Sequence, residues 1–257
     1  MLELGLKDRV AIITGASDGL GRATAEKLAA EGCKVAICAR REPHLRAVAE
    51  SIASATGAEV LAVPADVSKA PDIERFVEAA VDRFGGVDIA VNNAGKSAAA
   101  SLEEVDDEAW REDLDLKVMG AVRICRLVVP IMRARGGGSI VNATIVGGKV
   151  PQARALPTSV SRAAGINLTK SLANEYAPDQ IRVNTICIGL LKSEQWVRRA
   201  GARPVEELYE ELSAGVPLGR IGEEAEYADL VAFLVSDRAA YITGTAINLD
   251  GGMAAVV

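Results

Sequence analysis

Seven short apolar runs separated by stretches of helical periodicity constrain this chain more than any other feature. They read RVAIIT (9–14), KVAICA (34–39), VLAV (60–63), VDIAV (87–91), SIVNA (139–143), IRVNTIC (181–187) and AINL (246–249). Most are apolar at consecutive rather than alternate positions, so both faces of each strand need a cover. Such strands alternating with helices give a parallel sheet with a helix layer on either side, joined by right-handed crossovers. The expected fold is α/β: a doubly wound, mostly parallel, seven-stranded sheet of the Rossmann type. With 257 residues, 49% of them hydrophobic, the chain can bury one large core. No linker, repeat or low-complexity tract divides it, so residues 1–257 are expected to form a single domain.

The formal charge of −6 argues against a nucleic-acid partner or an anionic membrane surface. Cys33, Cys38, Cys125 and Cys187 fall in apolar stretches without a C-x-x-C pair, as expected of reduced, buried thiols rather than a disulfide framework. No apolar run reaches the length of a membrane span, about 18 residues. The start MLELGLKDRV lacks the basic and apolar regions of a signal peptide, so a soluble, cytoplasmic protein is expected. His44 is the only histidine and lies in a polar helix start, which leaves no basis for a metal site or a histidine-dependent triad.

The first apolar run leads into TGASDGLGRATAEKLA, where Gly15, Gly19 and Gly21 precede a helix starting near Leu20. Glycines between a strand and a helix permit a tight turn and let backbone N–H groups and the helix N-terminus approach a pyrophosphate. Ser17, Asp18 and Leu20 complete that turn. About 20 residues further on, a site preferring NAD offers an acid to the ribose hydroxyls. Here CARRE (38–42) has Ala39 in its place, followed by Arg40 and Arg41. Guanidinium groups suit a 2′-phosphate, so NADP, with NADPH preferred over NADH, is the expected cofactor.

Two helices can be resolved into faces. Over 107–133, with Asp106 as its cap, Trp110, Leu114, Val118, Ala121, Val122, Cys125 and Val129 form an apolar stripe. Lys117 falls within it. A charged residue on an inward face either has a partner or task, or packs its stem and reaches water with its ammonium; the pattern leaves both open. The second helix runs from about Pro157 to a stop before Pro178, with Thr158, Ser161, Arg162, Gly165, Leu168 and Leu172 on one face. Residues 136–138 form a turn into a strand, and 201–204 a break near the pocket.

Over nearly its whole length the chain resembles the short-chain dehydrogenase/reductase family. TGASDGLG is similar to that family's glycine motif, ADV (65–67) to its adenine contact through Asp66 and Val67, and NNAG (92–95) to its motif beside the nicotinamide, with Asn93, Ala94 and Gly95. GSIVN (138–142), KSLANEYAPDQIRVNTI (170–186) and YITGTAINLDGG (241–252) are similar to further family segments. In ICIGLLKS (186–193), Ile188 replaces the family's proline before Gly189, and Ser193 matches a threonine that commonly touches the nicotinamide carboxamide. The resemblance implies an NADP(H)-dependent oxidoreductase interconverting a carbonyl and a hydroxyl group of a small molecule. It also implies a homotetramer, with one interface on the helices from Asp107 and Pro157 and another on 224–237 and the last strand.

The family's catalytic set is Asn, Ser, Tyr and Lys. Aligned on the flanking motifs, these positions fall on Lys117, on Ile145 with Thr144 just before it, on Thr158 and on Arg162, so all four differ. No tyrosine is followed four residues later by lysine, and no local slip restores the pair. A threonine hydroxyl is a far weaker acid than a phenol, and arginine stays charged and cannot shuttle a proton. Arg162 can still bind ribose hydroxyls or polarise an oxyanion, while Thr158 can donate a hydrogen bond. Lys117 is the candidate for the missing acid, because desolvation beside Arg162 would lower its pKa towards neutrality. Lys96, Lys149, Arg154 and Lys192 on the pocket loops add to a basic pocket suited to an anionic substrate, unless they are solvent-facing loop charges. The alternatives are a catalytically silent nucleotide-binding or assembly subunit, and lyase or isomerase chemistry on the same scaffold.

Overall fold

In the computed structural model, which describes residues 3–256, all seven expected strands form. They are β1 (Val10–Thr14), β2 (Lys34–Ala39), β3 (Val60–Pro64), β4 (Ile89–Asn92), β5 (Gly138–Ile145), β6 (Ile181–Ile188) and β7 (Ala246–Leu249). One sheet results, in the order β3-β2-β1-β4-β5-β6-β7, and every neighbouring pair is parallel. The chain works outward from β1 to β3 and then returns to β4 on the other side of β1. That reversal opens a crevice at the carboxyl ends of β1 and β4, where open α/β sheets bind their ligands.

The helices are α1 (Gly19–Ala30), α2 (Glu42–Thr56), α3 (Ala70–Phe84), α4 (Asp107–Leu114), α5 (Gly120–Ala134), α6 (Thr158–Tyr176), α7 (Glu194–Ala200), α8 (Val205–Ser213) and α9 (Glu224–Val235). All five residues of β1 are buried, and pleating sends them alternately to two cores. Ala11 and Ile13 meet Leu28 of α1, Leu45 of α2 and Val231 of α9. Ile12 joins Phe76 of α3, Ile124 and Val128 of α5, and Ala173 of α6. The consecutive apolar residues of the strands are thus explained by two helix layers rather than one.

The helix expected without interruption over 107–133 is broken. Asp106 caps it as expected, its Oδ1 accepting from the Ala109 N–H at 2.8 Å. After Leu114, however, one wide π-helical turn spans Asp115–Met119 before α5 begins. Such a turn inserts a residue, so a count at 3.6 residues per turn drifts across it. Asp113, Lys117, Gly120, Ile124, Val128 and Met132 are buried, together with Cys125 and Val129, whereas Trp110, Leu114 and Val118 are only half-buried.

All four cysteines are buried and free, and burial pushes the thiols of Cys33, Cys38 and Cys125 up to about 12. Among the described residues no helix is long and apolar enough to cross a membrane, and no cluster of metal-ligating side chains forms. Phe76, fully buried between α3 and the sheet, tests the core. Phe76→Ala is expected to cost about 3–5 kcal/mol. Urea denaturation should report this as a lower midpoint at an unchanged slope.

Candidate active site

The crevice is built from backbone. Gly15 has a φ of +66°, and a Cβ there would stand 2.8 Å from the Cα of Ala94. A Cβ on Gly21 would run into the Gly15 carbonyl and lie 2.5 Å from Asn93 Nδ2. Both glycines are therefore required by close approach. Asn93 Nδ2 donates to the carbonyls of Thr14 and Gly15, at 3.2 Å each, and Thr14 Oγ1 accepts from the N–H groups of Asn93 and Ala94 at 3.0 and 3.1 Å. Helix α1 begins with neither a side-chain cap bond nor an acid in its first turn. The N–H groups around Gly19, Leu20 and Gly21 thus remain available to an anion, as a pyrophosphate requires.

At the adenosine end, Asp18 Oδ2 accepts from Ser17 Oγ at 2.9 Å and Arg41 Nη2 at 2.6 Å, while its Oδ1 lies 2.7 Å from His44 Nε2. Burial opposes ionisation of Asp18, but the bonds from His44 and Ser17 and the charge of Arg41 hold its carboxyl below the usual range. Arg41 is therefore already engaged. Arg40 is exposed and makes no hydrogen bond or ion pair among the described residues, leaving its whole guanidinium for a phosphate. Asp66 Oδ1 accepts from the N–H and Oγ of Ser68, and Val67 is buried against Gly120. Across the crevice the Gly189 N–H is bonded to the Leu249 carbonyl at 2.9 Å, and Ser193 precedes α7 without capping it through its side chain.

At the other end, Lys117 and Thr158 meet. The Lys117 side chain is 1% exposed, and its Nζ donates to Asp113 Oδ1 and, at 2.9 Å, to Thr158 Oγ1. An ammonium reaching bulk solvent is thereby excluded. Thr158 Oγ1 also accepts from the Ala98 N–H at 3.0 Å, so both its lone pairs are taken and its own proton is free to be donated. Asp113 Oδ2 accepts from Ser161 Oγ at 2.5 Å. Burial is the main force on Lys117 and brings its pKa down to about 8; the bond to Asp113 opposes that fall, while Arg162 and Lys96 add to it. Asp113 escaped the sequence reading, although its position four residues before Lys117 is the spacing of a helical acid–lysine pair. Ser161 was on the correct face but had no role.

Arg162 lies one turn beyond Thr158. Its Nη1 donates to the Ala143 carbonyl at 2.6 Å, its Nη2 abuts Gly95, and its Nε is buried without a partner. A ribose hydroxyl or a substrate oxygen in the crevice would satisfy that donor. The glycine cradle, the free Arg40 and this orphaned N–H fit a phosphorylated dinucleotide. A cavity of about 20 Å³, room for one water, lies below between Asn92, Lys117, Asn142, Arg162 and Gly165.

Thr144 Oγ1 is turned into the β5–β6 seam, 2.9 Å from Thr185 Oγ1 and 3.2 Å from the Ile186 carbonyl. The Thr144 hydroxyl is thus bonded across to β6 and not to Lys117 or Thr158, although Thr144 lines the same small cavity as Lys117 and Arg162. The loop cations of the expected basic pocket lie beside acceptors of their own. Lys149 is bonded to the Ala246 carbonyl and Asn248 Oδ1 at 2.7 Å each, Arg154 is paired with Glu104 at 2.7 Å and Lys192 with Glu223 at 2.5 Å. Lys96 lies 4.0 Å from Glu112. Each loop cation has its own acceptor.

The family model described as enoyl-(acyl carrier protein) reductase matches residues 15–254. The chain is 35% identical over 252 residues to dehydrogenase/reductase SDR family member 4 of Pongo abelii, covering 96% of this chain and 88% of that protein. It belongs to the short-chain dehydrogenase/reductase family. L-sorbose reductase from Gluconobacter frateurii, solved with NADPH and L-sorbose, is similar at a TM-score of 0.96 and 35% identity, with 100% of both chains covered. A short-chain oxidoreductase from Pseudomonas aeruginosa PAO1, NADPH-bound and containing an atypical catalytic center, is similar at 0.93 and 36%, covering 98% of this chain and 99% of that one.

In this short-chain dehydrogenase/reductase the contact of Gly21 with Gly15 and Asn93 fixes the cradle. Gly21→Ala is expected to cost about 1–3 kcal/mol through overpacking. The check is a lower urea midpoint, with far-ultraviolet circular dichroism unchanged in the absence of denaturant.

Proposed function

We propose that the protein is an NADP(H)-dependent oxidoreductase interconverting a carbonyl and a hydroxyl group, with Lys117 as the proton source acting through Thr158. The observation that carries this reading is the 2.9 Å bond from a buried ammonium to a hydroxyl whose own proton remains free. When bound, the dinucleotide supplies the hydride to the carbonyl carbon, or takes it back in the reverse direction. Thr158 gives its proton to the substrate oxygen as negative charge develops there, and Lys117 passes a proton to Thr158 Oγ1 in the same step. No free threonine alkoxide is then needed, which removes the objection that threonine is too weak an acid. Hydride and proton together convert the carbonyl to a hydroxyl, and Lys117 is left neutral beside Asp113. Arg162, always charged, holds the ribose or the oxyanion and moves no proton.

The loop cations are engaged with their own acceptors, and this favours a neutral polar carbonyl compound over an anionic one as substrate. The similarity to an L-sorbose reductase points the same way. A panel in which carboxylate-bearing substrates outperform neutral hydroxyketones would overturn that part. NADPH that binds tightly but is oxidised by no carbonyl would instead favour a silent nucleotide-binding subunit.

Arg40→Glu is expected to weaken NADPH binding by about 10- to 100-fold, the worth of a charge-assisted phosphate contact, with NADH binding little changed. Fluorescence titration with both nucleotides decides it. For reduction Lys117 must be protonated, so the rate falls as pH rises through about 8, and for oxidation it rises over the same range. Lys117→Met should lower turnover by about 100- to 10,000-fold while NADPH still binds. Unchanged turnover in that variant would make the lysine structural.

A further inference from the structure

Asp113 stands where the mechanism above has no use for it, near the end of α4 and four residues before Lys117. It is 1% exposed and both carboxylate oxygens are taken, Oδ1 by Lys117 and Oδ2 by Ser161 Oγ at 2.5 Å. A carboxylate withdrawn so far from water is retained only where its partners are fixed. The groups around the Lys117 ammonium come from every neighbouring element. Helix α6 contributes Thr158, Ser161 and Arg162, the loop after β4 contributes Lys96, and Asn92 and Asn142 of β4 and β5 line the adjoining cavity. Two of these are cations. Asp113 is the carboxylate bonded to Lys117, and without it the ammonium would sit out of water with only like charges for company.

We propose that Asp113 is a positioning residue, which, itself fixed by Ser161, holds Lys117 as an ammonium ion aimed at Thr158 Oγ1. The inference rests on Lys117 being the proton source. Its physical content is a division of labour: burial and Arg162 make the lysine willing to release a proton, and Asp113 keeps the proton in place until a substrate oxygen arrives. Ser161 ties the second oxygen, so the carboxylate cannot swing away from the ammonium.

The test is Asp113→Asn, which keeps shape and one oxygen but removes the charge. Loss of an opposite charge at this range should move the descending limb of the reductive pH–rate profile down by about one to three pH units. Near pH 8 turnover should fall about tenfold or more, with KM for the carbonyl and NADPH binding unchanged. Asp113→Glu should bring the limb part of the way back. Should Asp113→Asn yield no folded enzyme, Ser161→Ala carries the test: it frees Oδ2, and a reduced turnover with intact NADPH binding is expected. An Asp113→Asn enzyme with an unmoved limb and near-normal turnover, alongside an inactive Lys117→Met enzyme, overturns the role of Asp113 alone. An active Lys117→Met enzyme overturns the proton source, and this inference with it. Unchanged turnover in Ser161→Ala, where Asp113→Asn does not fold, also overturns the positioning role.

Discussion

Close backbone approach between the end of β1 and the loop after β4 sets the geometry on which every other part of the site depends. Gly15 lies against Ala94, Gly21 against Gly15 and Asn93, and Thr14 Oγ1 accepts two N–H groups from the facing loop. These are short, directional contacts between elements that the sheet already holds in register, so the crevice needs no ligand to define it. Because both sheet faces are buried under helices, the carboxyl edge is where polar chemistry can reach the strands without disturbing the core. Lys117, Thr158 and Arg162 all approach that edge from the helices of one layer.

The reacting corner is a coupled set rather than independent replacements. Arginine at 162 can serve a ribose or an oxyanion, yet its pKa rules it out as a group that gains and loses a proton. In the proposed mechanism the titrating role lies elsewhere, on Lys117, whose pKa burial brings down to about 8. A buried ammonium in turn needs a counter-charge, which Asp113 supplies, and the buried carboxylate needs its second oxygen satisfied, which Ser161 does. Thr158 Oγ1 is the second acceptor of the Lys117 ammonium. Reversing one member alone, for instance Lys117 to a neutral side chain, would leave Asp113 buried and uncompensated, so its cost would exceed the loss of one hydrogen bond.

The strands, their parallel order and the glycine turn were legible in the sequence because each depends on local pattern: apolar runs of strand length and glycines at a strand-to-helix junction. The wide turn at 115–119 was not, since helical periodicity assumes 3.6 residues per turn and offers no sign of an inserted residue. Asp113 was hidden for the same reason, because an acid four residues before a lysine reads as an ordinary surface pair unless the face is known to be buried. The hydroxyl direction of Thr144 depended on what β6 offers across the seam. The pairing of the charges could not be read because much of it is long-range. Arg154 finds Glu104, 50 residues away, and Arg41 and His44 find Asp18, 23 and 26 residues away. Composition counts such charges but cannot pair them.

That pairing clarifies how an acidic protein with a net charge of −6 can hold an anionic cofactor. Cations around the crevice are neutralised locally: Arg41 by Asp18, Lys192 by Glu223, Lys117 by Asp113. Two guanidinium groups keep open donors, the whole of Arg40 at the adenosine end and the Nε of Arg162 at the reacting end. The proposed function assigns Arg40 to a phosphate and Arg162 to a hydroxyl of the dinucleotide. Of the two, only the Arg162 Nε is a desolvated donor without a partner, which costs stability in the free protein; the exposed Arg40 is hydrated. On the proposed function, discrimination would come from these two local groups rather than from a broad basic field, which would attract anions without distinguishing them.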